Sequence, residues 1–209
     1  MAGLLRAVSS EDYDDDDQRK GQLQRQRSVN CPPPISDRKL RRNSSCEKLL
    51  VGDSLNVSRS EKVTRMMTRN GESRVLFSDN LVKVNHRYKP QDRCLIITEG
   101  SLYNLDPLTM KCKRRIVITN VTHVSVSQLA DNFFVVHVPA EYDYLYVSRR
   151  KTEIISHLRD AYYGTTKIQL EVAVQNVVDY QVDKENIRRL EFIKGDGGVY
   201  TKIYAKKCK

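Results

Sequence analysis

Apolar positions are unevenly spread along this 209-residue chain. Up to residue 72 they follow no period, while most Val, Ile, Leu, Phe and Tyr lie beyond residue 74. From Arg74 onward short β-type runs alternate with turns, and seven strands are expected. The runs are Val75 to Val84, Arg93 to Thr98, Leu102 to Leu105, Ile116 to Thr119, Val121 to Val126, Phe133 to Val138 and Tyr142 to Val147. Glu99-Gly100-Ser101 predicts a tight hairpin, Asp106-Pro107 a turn, and Pro139 the end of the sixth run. In the seventh, three tyrosines alternate with Leu145 and Val147, so they share one face of a strand.

The pattern then changes period. Ile154, Ile155, Leu158, Ala161 and Tyr162 recur at helical spacing, with Thr152 as the expected cap and Gly164 as the residue after the end. Three strand-like stretches follow: Ile168 to Val174, Val178 to Val182, and a hairpin from Leu190 through Gly195-Asp196-Gly197-Gly198 to Ala205. Seven strands and then one amphipathic helix is the element order of a pleckstrin-homology-like fold, a mainly β, bent barrel plugged by its helix. The later stretches are too short for a core of their own and read as a β extension. The expected organisation is therefore a disordered tail over 1–72, barrel and helix over 73–164, and the extension over 165–209.

The tail is polar and charge-segregated. Glu11, Asp12 and Asp14 to Asp17 form an acidic block, and residues 18–70 then carry 13 Lys or Arg against four Asp or Glu. Cys31-Pro-Pro-Pro-Ile is prone to polyproline structure. Such a stretch buries too little apolar surface to offset chain entropy. Ser28, after Arg-Gln-Arg, and Ser44 and Ser45, after Arg-Arg-Asn, resemble basophilic kinase sites, although chance matches in a solvated tail explain them equally well. Phosphate there would weaken attraction to an anionic surface.

The formal charge of +10 selects for an acidic partner without naming it. Five cysteines with no CxxC pair read as reduced thiols of a cytosolic protein. MAGLLRAV is too short for a secretory apolar region, no run is long enough to span a bilayer, and the glycine at position 3 misses the myristoylation pattern. Membrane contact is expected to be peripheral. His123, His137 and His157 read as strand or helix surface residues with no metal-ligand spacing, and no metal, cofactor or nucleophile motif is expected.

The charge becomes informative at Lys83 to Arg93, where Lys83, His86, Arg87, Lys89 and Arg93 surround a Tyr-Lys-Pro turn. Lys111, Lys113, Arg114 and Arg115 form a second cluster, read as the loop between the third and fourth strands and opening on the same rim. Lys83, Arg87, Lys89 and Arg93 are the expected contacts to headgroup phosphates, supported by Lys113 and Arg115. A solvated basic turn is the plainer reading, and a nucleic-acid-binding barrel is the competitor. The tyrosines at 142, 144 and 146 are expected away from the basic loops and no RNP-type motif is present, which disfavours nucleic acid. A protein-interaction adaptor, using the tail or the proline run, is compatible with lipid binding.

The words VLFSDNLVKVNHRYKPQDRCLIIT, LYNLDP and ITNVTHVSVSQLADNFFVVHV, in this order, resemble the tail homology domain of class I myosins over about residues 74 to 205. The resemblance implies a basic, pleckstrin-homology-like, non-enzymatic module binding anionic phospholipids, phosphoinositides included. Lys83 and Arg93 match its signature of a basic residue late in the first strand and an Arg early in the second. No P-loop and no calmodulin-binding helix accompany it, so the expectation is a tail without a motor. Its cytoskeletal role would come through a myosin-associated or other cytoskeletal partner.

Overall fold

The computed structural model describes residues 5–6, 52–196 and 198–206. The seven expected strands are present: β2 (Val75–Val84), β3 (Pro90–Thr98), β4 (Ser101–Leu105), β5 (Cys112–Val117), β6 (His123–Val126), β7 (Phe133–His137) and β8 (Tyr144–Val147). They join one bent sheet whose order is β5-β4-β3-β2-β8-β7-β6, closed around a core of Phe77, Leu81, Leu95, Ile97, Leu102, Ile116, Phe134 and the tyrosines of β8. Helix α2 (Lys151–Thr166) pushes Ile154, Leu158 and Ala161 into that core and plugs one end. This is a pleckstrin-homology-like fold.

The helix is longer than its apolar spacing indicates. Its N-cap is Arg150, not Thr152, and the Ser148 hydroxyl accepts the Arg150 amide at 3.0 Å. Gly164 lies inside the last turn. Thr165 and Thr166 bond back to the carbonyls of Ala161 and Tyr162, and Lys167, at φ 62°, ends the helix in the left-handed conformation.

The four later strands divide between two sheets. β9 (Glu171–Val174) pairs in parallel with β6 and becomes the eighth strand of the barrel sheet. β10 (Val177–Gln181), β11 (Ile187–Gly195) and β12 (Gly198–Ala205) form an antiparallel sheet, to whose edge β1 (Leu5–Arg6) adds. This sheet covers the outer face of β7 and β8, where Val135 and Leu145 pack against Val178, Tyr180, Leu190, Phe192 and Ile203. Strands covered on both faces lose their polar side, which is why β7 and β8 read as nearly continuous apolar runs.

The expected tail boundary at 72 is too late. Residues 52–72 pack on the barrel through a 3-10 turn (Val57–Arg59) and helix α1 (Glu61–Arg69). Val57, Val63 and Met67 cover Cys94, Ile96, Tyr103 and Leu105 on the outer face of β3 and β4. Asp53 fastens the turn, accepting the amides of Val57 and Ser58 and the Ser78 hydroxyl. α1 ends in a Schellman motif. Gly71, at φ 72°, donates to the Thr68 carbonyl and the Glu72 amide to that of Met67. Residues 7–51, with Ser28, Ser44 and Ser45, lie outside the described residues, so the disorder and phosphorylation expected there have no structural counterpart.

Candidate functional site

Strand alternation decides which cations face the barrel interior. Lys83 lies two residues beyond Leu81, Arg93 two before Leu95, and Arg114 two before Ile116, and all three apolar partners belong to the interior core. A period of two therefore turns Lys83, Arg93 and Arg114 inward at the end away from the α2 plug. The same rule brings Tyr144 and Tyr146 inward from β8, alongside Asn104 from β4, which exchanges hydrogen bonds with the Tyr146 hydroxyl at 2.8 and 3.0 Å.

The three cations are compensated unequally. Arg114 donates through Nε and Nη2 to the Glu141 carboxylate, at 3.0 and 2.5 Å, and through Nε to the Tyr144 hydroxyl at 2.9 Å. The Glu141 contact holds the guanidinium more firmly protonated than usual. Lys83 has no such partner. Its ammonium donates to the Tyr142 hydroxyl at 3.3 Å and lies 5.1 and 4.7 Å from the centroids of the Tyr142 and Tyr144 rings. Burial pulls its pKa below the ordinary lysine value, and the charges of Arg93 and Arg114 add to this, against the favourable Tyr142 hydroxyl. Arg93 donates to the Asp92 carbonyl at 2.6 Å and to Gln91 Oε1 at 2.7 Å, both neutral acceptors. Among the described residues no carboxylate forms an ion pair with Lys83 or Arg93. Two cations with no carboxylate counter-ion among the described residues and a third neutralised by one carboxylate make a mouth of net positive charge.

Above the mouth runs the turn from Asn85 to Lys89. The Asn85 side chain accepts the amides of Arg87 and Lys89, at 2.7 and 3.0 Å, and its own amide donates to the Lys89 carbonyl. Arg87 and Lys89 are exposed on this rigid turn. They can meet a polyanion, but they do not line the mouth.

Lys113 and Arg115 sit differently from their expected place. They belong to strand β5 rather than a loop; alternation turns Arg115 to the face opposite Arg114, while Lys113 is the extra residue where the β4–β5 register shifts. Arg115 pairs at 3.0 Å with the buried Glu72, which also accepts from Thr98, Ser101 and Tyr103. Lys113 lies 3.7 Å from Asp106. The inward member of that basic run is Arg114, whose two-residue offset from Ile116 was the available signal.

The aromatic residues also depart from expectation. Tyr142, Tyr144 and Tyr146 lie beside the basic site, not away from it, but Tyr144 and Tyr146 are fully buried and Lys83 occupies a ring face of Tyr144. Such rings offer no platform for stacking bases. His137 is buried rather than on the surface. It bridges Ser125, at 2.9 Å from Nε2, and Asp143, at 2.9 Å from Nδ1, and stacks on His123 with ring centroids 3.9 Å apart. The hydroxyl–imidazole–carboxylate order is that of a hydrolase triad, yet Ser125 is only 1% exposed. A buried hydroxyl cannot reach a substrate carbonyl, so the trio is a packing device. It joins barrel to extension, because Asp143 accepts the Gln181 amide at 2.8 Å.

Among the described residues no cluster of metal-ligating side chains and no helix long and apolar enough to cross a membrane occurs. The model of a family described as the unconventional myosin tail, actin- and lipid-binding, matches residues 41–208. The myosin ID heavy chain of Dictyostelium discoideum is 28% identical over 177 residues, covering 77% of this chain and 16% of that one. Unconventional myosin-Id of Danio rerio is 46% identical over 65 residues, covering 31% of this chain and 6% of that one. The chain thus spans about a sixth, or less, of the length of these relatives. Among solved structures, the carboxyl-terminal PH domain of pleckstrin aligns with a TM-score of 0.38 at 20% identity, over 43% of this chain and 97% of that one.

Proposed function

This chain belongs to the unconventional myosin tail family, actin- and lipid-binding, and we propose that it attaches peripherally to cytoplasmic membrane surfaces by taking an anionic headgroup, phosphoinositides foremost, into the barrel mouth. The observation that carries this reading is the pair Lys83 and Arg93, two inward-facing cations without a carboxylate counter-ion. A phosphate between them would relieve the desolvation and mutual repulsion that depress Lys83. Arg114 forms the third side of the site. Arg87 and Lys89 add attraction from the exposed turn, at about 1 kcal/mol for each cation near an anionic surface. Arg115, tied to Glu72 on the other face, and Lys113, paired with Asp106 at the β4–β5 turn, contribute long-range field rather than contact.

The module performs no chemistry in this scheme. It is an anchor, and its cytoskeletal half is a separate interaction, tested by pelleting the chain with filamentous actin in the presence and absence of vesicles. The lipid half is tested by vesicle co-sedimentation of the full chain on neutral, phosphatidylserine and phosphoinositide vesicles. Binding is expected on the anionic vesicles, strongest with phosphoinositide. Lys83→Ala/Arg93→Ala should weaken it by about 2 kcal/mol, a factor of about 30. Competition by a soluble inositol phosphate separates headgroup capture from a diffuse charge effect. Binding to single-stranded oligonucleotides in place of vesicles would overturn the reading.

A further inference from the structure

Sheet order places the hairpin turn between β4 and β5 next to the turn between β2 and β3, because β3 and β4 are paired neighbours. The turn centres are two strand spacings, roughly 10 Å, apart at the same end of the barrel. At the tip of the β4–β5 turn stands Leu108, 89% exposed and the most exposed of the large apolar side chains among the described residues. A single exposed leucine needs no explanation by itself. This one is held out by a fixed frame. Asp106 Oδ1 accepts the amides of Leu108 and Thr109 at 3.2 and 2.9 Å, and the Asp106 carbonyl accepts the Met110 amide at 2.8 Å. Met110, at φ 53°, then turns the chain back to Lys111, whose carbonyl accepts the Asp106 amide at 2.9 Å.

The second observation is what surrounds the tip. Lys62, Arg65 and Arg69 are exposed on α1 and, with Glu61 and Lys111, line a shallow groove beside Met110. Glu61 pairs with Arg65 at 2.5 Å, which leaves Lys62, Arg69 and Lys111 to carry the net positive charge of the rim. Lys62 donates to the Thr109 carbonyl, which ties this basic ridge to the turn. An apolar tip on a rigid frame, rimmed by cations and adjacent to an anion-binding mouth, matches the cross-section of an anionic bilayer: hydrocarbon for the tip and phosphate for the rim. An acidic protein surface would satisfy the rim but leave the leucine unused.

Building on the membrane reading above, we infer that Leu108 is an insertion wedge that enters the acyl boundary of an anionic bilayer while Lys62, Arg69 and Lys111 contact its headgroups. Helix α1 is then part of the membrane-facing surface.

The chain contains no tryptophan, so Leu108→Trp introduces a sole reporter at the tip. Tyr163→Trp introduces one on exposed α2 surface near the plugged end, where Thr165 meets Glu99. The full chain is mixed with phosphatidylcholine vesicles containing phosphatidylserine and phosphatidylinositol bisphosphate, with and without bromine-labelled acyl chains. Emission from Leu108→Trp should shift to shorter wavelength and be quenched by the bromine, while that from Tyr163→Trp should stay unchanged. Leu108→Ser, at a solvated tip that carries no packing, should weaken sedimentation about tenfold. Vesicle binding with unchanged Leu108→Trp emission overturns the wedge and leaves the mouth intact. Equal shifts from both reporters overturn it too, because adsorption would then lack a defined face. Failure of the parent chain to bind these vesicles overturns the membrane reading itself, and the wedge with it.

Discussion

The guanidinium of Arg188, on β11, lies 3.6 Å from the centroid of the Tyr88 ring in the turn that carries Arg87 and Lys89. It also donates to the His86 carbonyl. Tyr88 has a φ of 63°, a conformation that bulky residues adopt only when something holds them there. The extension is therefore the support of the basic turn, which explains why a β sheet beyond the barrel belongs with the site. Arg188→Ala removes a cation–π contact of about 1 kcal/mol. Amide hydrogen exchange over residues 86 to 89 should accelerate, and binding to anionic vesicles should weaken. Arg188→Lys keeps the charge but loses the planar stack, and should show the same faster exchange. Unchanged exchange in both variants would mean the turn is self-supporting through Asn85.

Period-two alternation made the barrel strands legible, since that property is local. The two-residue offsets of Lys83 and Arg93 from Leu81 and Leu95 were there too, but in the sequence both residues read only as lying around a basic turn. Sheet partners were less legible. The alternation over 168–174 announces a strand, but four paired residues carry no mark that says β6 rather than the extension. Helix α1 escaped because only Val63, Met66 and Met67 are apolar in a segment rich in charge, and its stability comes from the face of β3 and β4 rather than its own sequence. Arg114 was hidden inside a basic run read as a loop, and its partner Glu141 lies 27 residues away, where no spacing rule reaches.

Glu141 is an internal anion in the mouth, holding Arg114 by two hydrogen bonds at 3.0 and 2.5 Å. A headgroup phosphate bound as proposed would compete with it. Glu141→Gln should therefore tighten phosphoinositide binding, by several-fold if one more cation of about 1 kcal/mol becomes available. The effect should vanish in an Arg114→Ala background, because a double-mutant cycle separates release of Arg114 from the mere loss of a negative charge. Equal tightening in both backgrounds would leave only the charge effect.

The Schellman turn at Gly71 aims Glu72 into a ring of buried donors. Thr98, Ser101 and Tyr103 donate to its carboxylate at 2.7, 2.5 and 2.8 Å. Burial and the neighbouring carboxylate push the Tyr103 phenol up to about 12. Glu72→Ala leaves several buried hydroxyls unpaired and should lower stability by at least about 2 kcal/mol. Met67→Ala, beneath α1, should cost about 2–5 kcal/mol. Chemical denaturation of the full chain measures both. A tail ending at residue 72 would predict no change for either, so unaltered midpoints would detach residues 52–72 from the fold.

The His123 imidazole, stacked on His137, gives the fold an acid limit. Burial pulls the His123 pKa below the ordinary 6.5, and His137 adds to this, while Glu171 and Asp143 oppose it. The unfolded chain therefore binds more protons than the folded one between the folded value and 6.5. The stability that depends on neutral His123 is whole above 6.5 and falls as the pH drops through that window. Further down, Asp143 acts in the same direction. Burial alone would raise its carboxyl, but the His137 ring and the amides of Gln181 and Val138 outweigh it and hold the pKa below 3.8. Its contribution is present above 3.8 and lost as the pH falls through the folded value. The melting temperature should decline from pH 7.5 to 5.5, and His123→Gln should flatten that decline. His157, also lowered by burial, adds a slope of the same sign, so the difference between parent and variant is the quantity to read. Identical slopes would show that His123 binds no more protons unfolded than folded in this range. A flatter slope in the variant would place the pH-sensitive contact at His123, where its ring stacks on His137 between β6 and β7.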